Sequence, residues 1–182
     1  KNSSIAAKEK YPSASHKIDY VYPGAKKLNP AREIKRGSEN NKKINFSYIG
    51  SLYQTRNLDN FFEALEELSP SQAYEVNLYG WLADDILERT KRLKNDNIKI
   101  HGLIPRELAI KNAQKADVLL LVQHTDLRSS KTIPFKLYDY LNTENLIFGL
   151  TYKNDEIDNI LIKHGHIKSD ASSVELIKQS LA

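Results

Sequence analysis

A lysine and a carboxylate three residues apart, Lys136 and Asp139, follow a strongly apolar segment of this sequence. The segment 117–122 is apolar after its first residue, which predicts a strand that is buried on both faces. Pro134 fits the first turn of a helix, because its fixed backbone angle suits that position. Open α/β sheets bind ligands beyond the carboxyl ends of their strands. Residues three apart lie on one helical face, so Lys136 and Asp139 are able to hold a phosphate and a sugar hydroxyl, with an ordinary ion pair within the helix as the alternative.

A second candidate anion site lies in the loop before an earlier helix. Gly50, Ser51 and Arg56 follow a predicted strand and precede an amphipathic segment that begins at Asn57. The N–H groups and the dipole at a helix N-terminus attract phosphate, and an arginine binds it through two parallel hydrogen bonds. The loop has neither the Gly-Lys-Ser/Thr of a P-loop nor a Gly-x-Gly-x-x-Gly pattern. The usual nucleotide fingerprints are therefore missing from the sequence.

Three of the predicted strands end in glycine, at Gly50, Gly80 and Gly102. Glycine allows a positive φ and a close approach of the backbone, which a ligand cradle at the strand ends would use. Glycine also simply terminates strands, which is the alternative for any one of them. Taken together, the three glycines favour a cleft along this edge.

The histidines do not form a metal-binding pattern. His164 and His166 are two apart beside a glycine, and no carboxylate cluster accompanies them, so we expect no metal site. His124 follows the segment 117–122, where it either faces a sugar or is an exposed loop residue. Trp81 comes directly after Gly80, where it either packs or borders the cleft.

Strands and helices alternate along most of the chain. Strands are predicted at residues 44–49, 74–79, 98–101, 117–122 and 146–151, with a short edge strand at 166–167. Helices are predicted at residues 57–68, 84–93, 106–116, 134–141, 156–164 and 172–181, the last of them capped by Ser172. Because parallel strands need crossover connections, this alternation predicts an α/β fold with a Rossmann-like parallel sheet flanked by helices.

The length, composition and net charge of the chain limit the classes of protein to which it can belong. The chain has 182 residues, of which 40% are hydrophobic and 27% are charged, so it can form one α/β domain with a sizeable core. Its net charge of +4 is spread along the sequence, without the dense basic stripe of a nucleic-acid reader. No apolar run reaches the roughly 20 residues of a membrane helix. The absence of cysteine excludes disulfides and thiolate chemistry, and it fits a reducing compartment.

The first part of the chain differs from the rest. Residues 17–22 alternate weakly and precede Pro23 and Gly24, which predicts a short strand and a turn. Residues 25–43 are polar and basic and are interpreted as a linker. We therefore divide the chain into an N-terminal segment and interdomain linker at 1–43 and an ordered domain at 44–182. The sequence contains no methionine, from which we expect a piece of a longer chain.

The segment that contains Arg56 resembles the start of a known domain. Ile49-Gly50-Ser51-Leu52, Arg56 and the apolar helix that follows are similar to the C-terminal, nucleotide-sugar-binding domain of GT-B glycosyltransferases of the glycosyltransferase family 4 (glycosyl transferases group 1) type. Later segments resemble that domain in the same order: Asn77-Leu78-Tyr79-Gly80, residues 98–105, Ala116-Asp117-Val118 and residues 134–141. The resemblance covers roughly residues 17–181, and it implies the same Rossmann-like fold.

This resemblance implies roles in binding the donor diphosphate. Arg56 would be the basic residue that neutralises the diphosphate. Ser51 stands where the family commonly has a second basic residue, so this half of the clamp is either absent or supplied by Lys131 or Lys136. Backbone N–H groups of two further residues would face the phosphate at the helix start: Thr132 and Ile133.

The resemblance also implies roles toward the nucleoside and the sugar. Leu103 and Ile104 would flank the nucleobase, largely through their backbone. Asp139 stands where the family has the second glutamate of its Glu-x7-Glu motif, which holds the ribose hydroxyls. Lys131 stands eight residues earlier, in place of the first glutamate, which helps to hold the donor sugar.

The function implied is that of the donor-binding half of a metal-independent, retaining glycosyltransferase. It would move a sugar from a nucleotide diphosphate sugar, which is a substrate and not a cofactor, to a saccharide or lipid-linked acceptor in polysaccharide or glycoconjugate assembly. The acid–base groups and the acceptor site would lie on an N-terminal domain outside this chain, so the chain alone would bind nucleotide and transfer nothing. The full-length protein would be cytoplasmic, with peripheral association at the inner face of the membrane.

Two other functions are open. The first is a non-catalytic nucleotide-binding or scaffold domain of the same fold, suggested by Ser51 and Lys131 at positions where the family has a basic residue and a glutamate. The second is a response-regulator-like signalling domain, which is disfavoured because no acidic cluster follows the first predicted strand.

Overall fold

The structure is a computed structural model, and it describes residues 2–21, 43–68 and 73–182. The first range contains helix α1 (Asn2–Lys10) and a 3-10 helix (Pro12–Lys17), neither of which is predicted from the sequence. Residues 18–21 are not in a strand, so the strand predicted at 17–22 is wrong over the part that the structure describes. The predicted turn at Pro23 and Gly24 and nearly all of the predicted linker lie outside the described residues.

Six strands form one sheet. They are β1 (Ile44–Ile49), β2 (Tyr74–Tyr79), β3 (Ile98–Gly102), β4 (Val118–Val122), β5 (Leu146–Thr151) and β6 (Ile167–Asp170). Their order is β3-β2-β1-β4-β5-β6, and every neighbouring pair is parallel. The predicted Rossmann-like parallel sheet is confirmed, and the predicted edge strand is the four-residue β6.

From β1 onward, each strand of the described residues is followed along the chain by a helix, as predicted. These helices are α2 (Asp59–Glu66), α3 (Asp84–Arg92), α4 (Arg106–Lys115), α5 (Lys136–Leu141), α6 (Asp155–Lys163) and α7 (Val174–Leu181). Helix α5 begins two residues after Pro134. Helix α7 is capped by Ser173, whose hydroxyl accepts from the Leu176 N–H at 3.3 Å, and not by Ser172. Ser172 instead donates both its N–H and its hydroxyl to the carboxylate of Asp170, the last residue of β6.

Each face of the sheet is covered by its own group of helices. One hydrophobic cluster joins α2, α3 and α7 to the first face, where Phe61 of α2 packs edge-on against Phe46 and Phe148 with ring centroids 5.5 and 6.1 Å apart. A second cluster joins α4, α5 and α6 to the other face through Leu119 and Leu121. All five positions of β4 are buried, as predicted for a strand that is covered on both sides.

The order of the strands reverses direction between β1 and β4. The chain passes from β1 to β2 and β3 on one side of the sheet, and from β4 to β5 and β6 on the other. The connections therefore diverge at the carboxyl ends of β1 and β4 and leave a crevice there, which is where open α/β sheets bind ligands. Gly50 and Gly80 follow β1 and β2 with φ of 141° and 128°, and a side chain on Gly80 would overlap the carbonyl of Gly50. These two glycines let the strand ends pack closely beside the crevice.

Candidate functional site

Lys136, the first residue of α5, reaches across the carboxyl end of β1. Its Nζ lies 3.0 Å from the Tyr48 hydroxyl and 4.2 Å from the centroid of the Tyr48 ring. The Tyr48 hydroxyl donates to the Ser51 carbonyl at 2.8 Å and accepts from Lys136. A side chain on Gly50 would overlap the ammonium group of Lys136. Glycine at this position therefore gives the lysine its path into the crevice.

The surroundings of the Lys136 ammonium group disfavour its charge. No carboxylate of the described residues lies within ion-pair distance of it. Burial, with a further contribution from the nearby positive charge of Arg56, lowers the pKa of Lys136 to about 7. A bound anion would restore the charged form of this lysine.

Arg56 lies close enough to Lys136 for its positive charge to act on that lysine. Its guanidinium carbon is 5.2 Å from the centroid of the Tyr53 ring, and its buried Nε has no hydrogen-bond acceptor. Within the described parts of the chain, the Arg56 side chain has neither a hydrogen-bond nor an ion-pair partner. Its positive charge lowers the pKa of both Lys136 and His124. Two cations with no carboxylate between them form a local positive field, which attracts an anion.

Asp139 pairs with Arg106 and not with a residue of its own helix. Arg106 Nη2 lies 2.8 Å from Asp139 Oδ1, so the predicted alternative of an ion pair between Lys136 and Asp139 is wrong. The Arg106 side chain is 72% exposed and that of Asp139 is 27% exposed. Because exposed ion pairs contribute only about 0–1 kcal/mol, a ligand hydroxyl is able to compete for the carboxylate.

Two adjoining cavities of about 250 and 280 Å³ lie in the crevice. Helices α4 and α5 and the ends of β1, β2 and β3 surround them. The cavities share four lining residues: Ile49, Gly50, Arg106 and Ala109. Seven of the residues that the sequence proposed for binding line one or both cavities: Gly50, Ser51, Gly80, Leu103, Ile104, Lys136 and Asp139. Leu103 is 79% exposed, so its side chain stands at the mouth of the crevice and not in its wall. Trp81, which is 49% exposed, borders the second cavity, and this is one of the two positions expected for it.

Arg56 and residues 131–133, which the sequence also proposed for binding, are not among the residues that line these cavities. Lys131 is exposed at the end of a short 3-10 helix. Thr132 donates its backbone N–H to the Ser129 carbonyl at 3.3 Å, and its carbonyl accepts from Asn154 Nδ2 at 3.0 Å. Ile133 packs against the second hydrophobic cluster. The Thr132 N–H that was expected to face a phosphate thus has a partner within the protein.

A polar cluster that the sequence analysis missed connects the loops after β1 and β4. The Thr55 hydroxyl donates to the Asp126 carboxylate in a short hydrogen bond. Arg128 donates to Asp126 through Nε at 2.8 Å and Nη2 at 2.6 Å, and to Gln54 Oε1 through Nη1 at 2.5 Å. These hydrogen bonds hold the pKa of Asp126 well below its usual range. Thr55 and Asp126 are 71 residues apart in the sequence, so no local pattern pairs them.

His124 belongs to the same cluster and is buried, so the expectation of an exposed loop histidine is wrong. Only 5% of its surface is exposed, and its ring meets that of Tyr53 edge-on with centroids 5.0 Å apart. Its Nδ1 lies 3.0 Å from Thr55 Oγ1. Since the Thr55 hydroxyl donates to Asp126, its oxygen accepts from His124 Nδ1. Burial and the charge of Arg56 lower the pKa of His124, which favours the neutral ring.

Residues 2–21, 43–68 and 73–182 contain no group of three or more histidine, cysteine, aspartate or glutamate side chains that could hold a metal ion. No helix within those ranges has the length and apolar character needed to span a bilayer.

Solved structures with the same fold include several glycosyltransferases. The chain is similar to the lipopolysaccharide outer core galactosyltransferase WaaB, with a TM-score of 0.65, 13% identity and coverage of 92% of this chain and 46% of WaaB. It is similar to Anabaena Alr3699/HepE in complex with UDP and glucose, with a TM-score of 0.56, 11% identity and coverage of 75% of this chain and 37% of that one. The C-terminal domain of the group 1 glycosyl transferase LpcC from Francisella tularensis gives a TM-score of 0.54, 14% identity and coverage of 75% and 72%.

These likenesses show the fold of the C-terminal domain of GT-B glycosyltransferases. The chain spans less than half the length of the WaaB and HepE chains. No protein-family model and no curated protein matches the sequence.

Proposed function

We propose that this chain is the donor-binding domain of a glycosyltransferase that transfers a sugar from a nucleoside diphosphate sugar to a saccharide or lipid-linked acceptor. The observation that carries the proposal is the pair of cations, Arg56 and Lys136, which have no carboxylate partner among the described residues and follow β1 and β4, between which the strand order of the parallel sheet reverses. The fold shared with HepE, which was solved with UDP and glucose, supports it.

The donor would lie along the crevice with its parts on different elements. The diphosphate would lie between Arg56 and Lys136, where two positive charges and the open end of β1 favour an anion. The ribose hydroxyls would bind Asp139 in competition with Arg106. The nucleobase would lie near Leu103 and Ile104, in the cavity next to β2 and β3.

The chemistry assigned to these residues is stabilisation of the leaving group. When the bond from the sugar to the diphosphate breaks, negative charge grows on the diphosphate, and fixed positive groups lower the energy of that state. Arg56 and Lys136 would provide this stabilisation without a metal ion. Retention of configuration at the sugar follows only from the family resemblance and is part of the proposal.

The catalytic acid–base groups and the acceptor site are proposed to lie on a second domain, outside the 182 residues. The reaction would take place in the cytoplasm, at the inner face of the membrane when the acceptor is lipid-linked. The chain alone is then expected to bind nucleotides and to transfer no sugar. Measurable transfer from UDP-glucose to any acceptor by this chain alone would contradict that division of labour.

Isothermal titration calorimetry with UDP, GDP, UDP-glucose and GDP-mannose tests donor binding. We expect saturable heat with at least one nucleotide diphosphate, and weaker or absent binding of the matching nucleoside, because the cations contact the phosphates. Absence of heat with every nucleotide would contradict the proposal.

A non-catalytic nucleotide-binding or scaffold domain of the same fold is the second candidate. Two observations favour it: Lys131 stands where the family has the sugar-holding glutamate, and Asp139 is already paired with Arg106. A chain that binds UDP and UDP-glucose equally, and gives no transfer when joined to its neighbouring domain, would support this candidate.

A further inference from the structure

The turn that carries Arg56 is tight and strained. The backbone N–H groups of Tyr53 and Arg56 each donate to the other residue's carbonyl, both at 3.0 Å. Gln54, at the tip of this turn, has a φ of 53°, in the left-handed region that side chains other than glycine rarely adopt. Contacts elsewhere must hold such a strained conformation.

The contacts that hold the tip come from the loop after β4. Arg128 Nη1 donates to the Gln54 side-chain carbonyl at 2.5 Å, and the Thr125 N–H donates to the Thr55 carbonyl at 3.3 Å. Asp126 is central to this set, because it accepts from the Thr55 hydroxyl and from the Arg128 guanidinium. Removing its charge would loosen both partners at once.

Asp126 is in turn held by hydrogen bonds to a group of buried residues. Its carbonyl accepts from the N–H of Ser129 at 3.0 Å, and the buried Ser129 hydroxyl donates to the His124 carbonyl. The buried amides of Gln123 and Asn154 both donate to the Ser129 carbonyl. All three of these side chains are at most 2% exposed. The position of Asp126 is therefore set by the core and not by the solvent.

Arg56 has no such support of its own. Among the residues that the structure describes, its guanidinium group has no hydrogen-bond or ion-pair partner; its carbon lies 5.2 Å from the centroid of the Tyr53 ring, and its buried Nε lacks an acceptor. The direction of its side chain thus depends on the turn from Tyr53 to Arg56, whose tip Asp126 and Arg128 hold. We propose that Asp126 is a positioning residue, which acts through Thr55 to keep Arg56 aimed at the diphosphate; this inference rests on the proposed function.

A double-mutant cycle between Asp126 and Arg56 tests this inference. The variants Asp126→Asn, Arg56→Ala and the double variant are titrated with UDP and GDP, and with uridine and guanosine as phosphate-free counterparts. Asp126→Asn is expected to weaken binding of the diphosphate roughly three- to thirtyfold, with less than about a twofold effect on the nucleoside. In the Arg56→Ala background the same change should alter diphosphate binding by less than about twofold, because the residue that it positions is gone.

A general loss of structure would not produce that pattern, because it would weaken nucleoside and diphosphate binding alike. Glu88→Gln is the matched control, since it removes a carboxylate that pairs with an arginine on the exposed face of α3 and is expected to leave binding unchanged. Thr55→Val, which removes the hydroxyl donated to Asp126, provides a second variant if Asp126→Asn does not fold. It is expected to give the same selective loss.

The outcomes separate the two proposals. If the unmodified chain binds neither UDP nor GDP, the proposed function fails and this inference fails with it. If the unmodified chain binds and Asp126→Asn causes the same loss with and without Arg56, only the positioning role is overturned. A loss of nucleoside binding as large as the loss of diphosphate binding would overturn it as well.

Discussion

The ammonium group of Lys136 fills the space where a side chain on residue 50 would begin. Gly50 is therefore constrained twice, once by its φ of 141° and once by a lysine from another element of the fold. The absence of a side chain on Gly50 leaves room for the Lys136 ammonium group at the end of β1.

Gly50→Ala should displace Lys136 and lower both stability and diphosphate affinity. We expect the free energy of unfolding to fall by about 2–4 kcal/mol, from backbone strain together with overpacking. Urea titration followed by circular dichroism measures the change. Gly165→Ala is the control, since Gly165 also has a positive φ, 72°, but open space where the new methyl group would lie. Equal losses in the two variants would show that Lys136 plays no part in the requirement for glycine.

Arg56→Ala should weaken binding of UDP or GDP roughly tenfold to a hundredfold, because charge-assisted hydrogen bonds to phosphate contribute about 1.5–3 kcal/mol. Binding of uridine or guanosine should change little. Calorimetry at two salt concentrations gives both values, and the salt dependence of diphosphate binding should be smaller in the variant. Arg92→Ala, on the exposed face of α3, serves as the control. Similar losses for nucleoside and diphosphate would remove Arg56 from the phosphate site.

Diphosphate affinity should fall as the pH rises from 7 to 9. With a pKa of about 7, Lys136 loses its proton over this range in the free protein, whereas a bound phosphate would keep it charged. The decrease approaches about tenfold per pH unit between the free and bound pKa values. Lys136→Met should bind more weakly at pH 7 and show little further change up to pH 9.

Neighbouring groups do not account for such a change. Burial raises the pKa of Tyr48 and Tyr140 above the range tested, and it lowers that of His124 below it.

Lys136 also links the stability of the fold to pH. Between pH 7 and the ordinary lysine value of 10.5, the unfolded chain binds a proton that the folded chain does not, so the contribution of Lys136 to stability rises with pH. A flat affinity profile with Lys136 present would contradict its role in binding, and a contribution to stability that does not rise with pH would contradict its lowered pKa.

Asp139→Ala should weaken nucleoside and nucleotide binding by similar factors, roughly tenfold, because both ligands carry the ribose hydroxyls. Arg106→Ala separates loss of the ribose contact from loss of the ion pair. If Asp139 binds ribose, Arg106→Ala should leave affinity equal or improve it roughly two- to fivefold, since the competing partner is gone. If Arg106→Ala reproduces the loss seen with Asp139→Ala, the carboxylate acts only through the ion pair.

The sheet could be predicted from the sequence because each of its strands carries its own apolar pattern, and the segment 117–122 even showed that it is covered on both faces. Helix α1 could not be predicted, because its sequence lacks an apolar period. Its alanine, lysine and glutamate residues favour a helix but do not by themselves indicate one. The cap of α7 was misplaced by one residue, because Asp170 takes the hydrogen bonds of Ser172.

At the site, the sequence located Lys136 and Asp139 on the correct element and edge, but not their partners. The partner of Asp139 is Arg106, 33 residues away, and the environment of Lys136 is set by Tyr48, 88 residues away. Tyr48 lies in a strand whose pattern indicates only core. Contacts of this kind depend on how strands and helices pack, and no spacing within one segment encodes them.

Asn154 links the formation of the loop after β4 to the docking of α6. Its buried side chain accepts from the Ile157 N–H at the start of α6 and donates to the carbonyls of Ser129 and Thr132 in the loop after β4. That loop cannot reach its final form until β5 and α6 have docked, because its carbonyls have no other buried donor of this kind among the described residues except Gln123. During refolding, the amides of residues 123–132 should therefore gain protection from hydrogen exchange after those of β1 and β4.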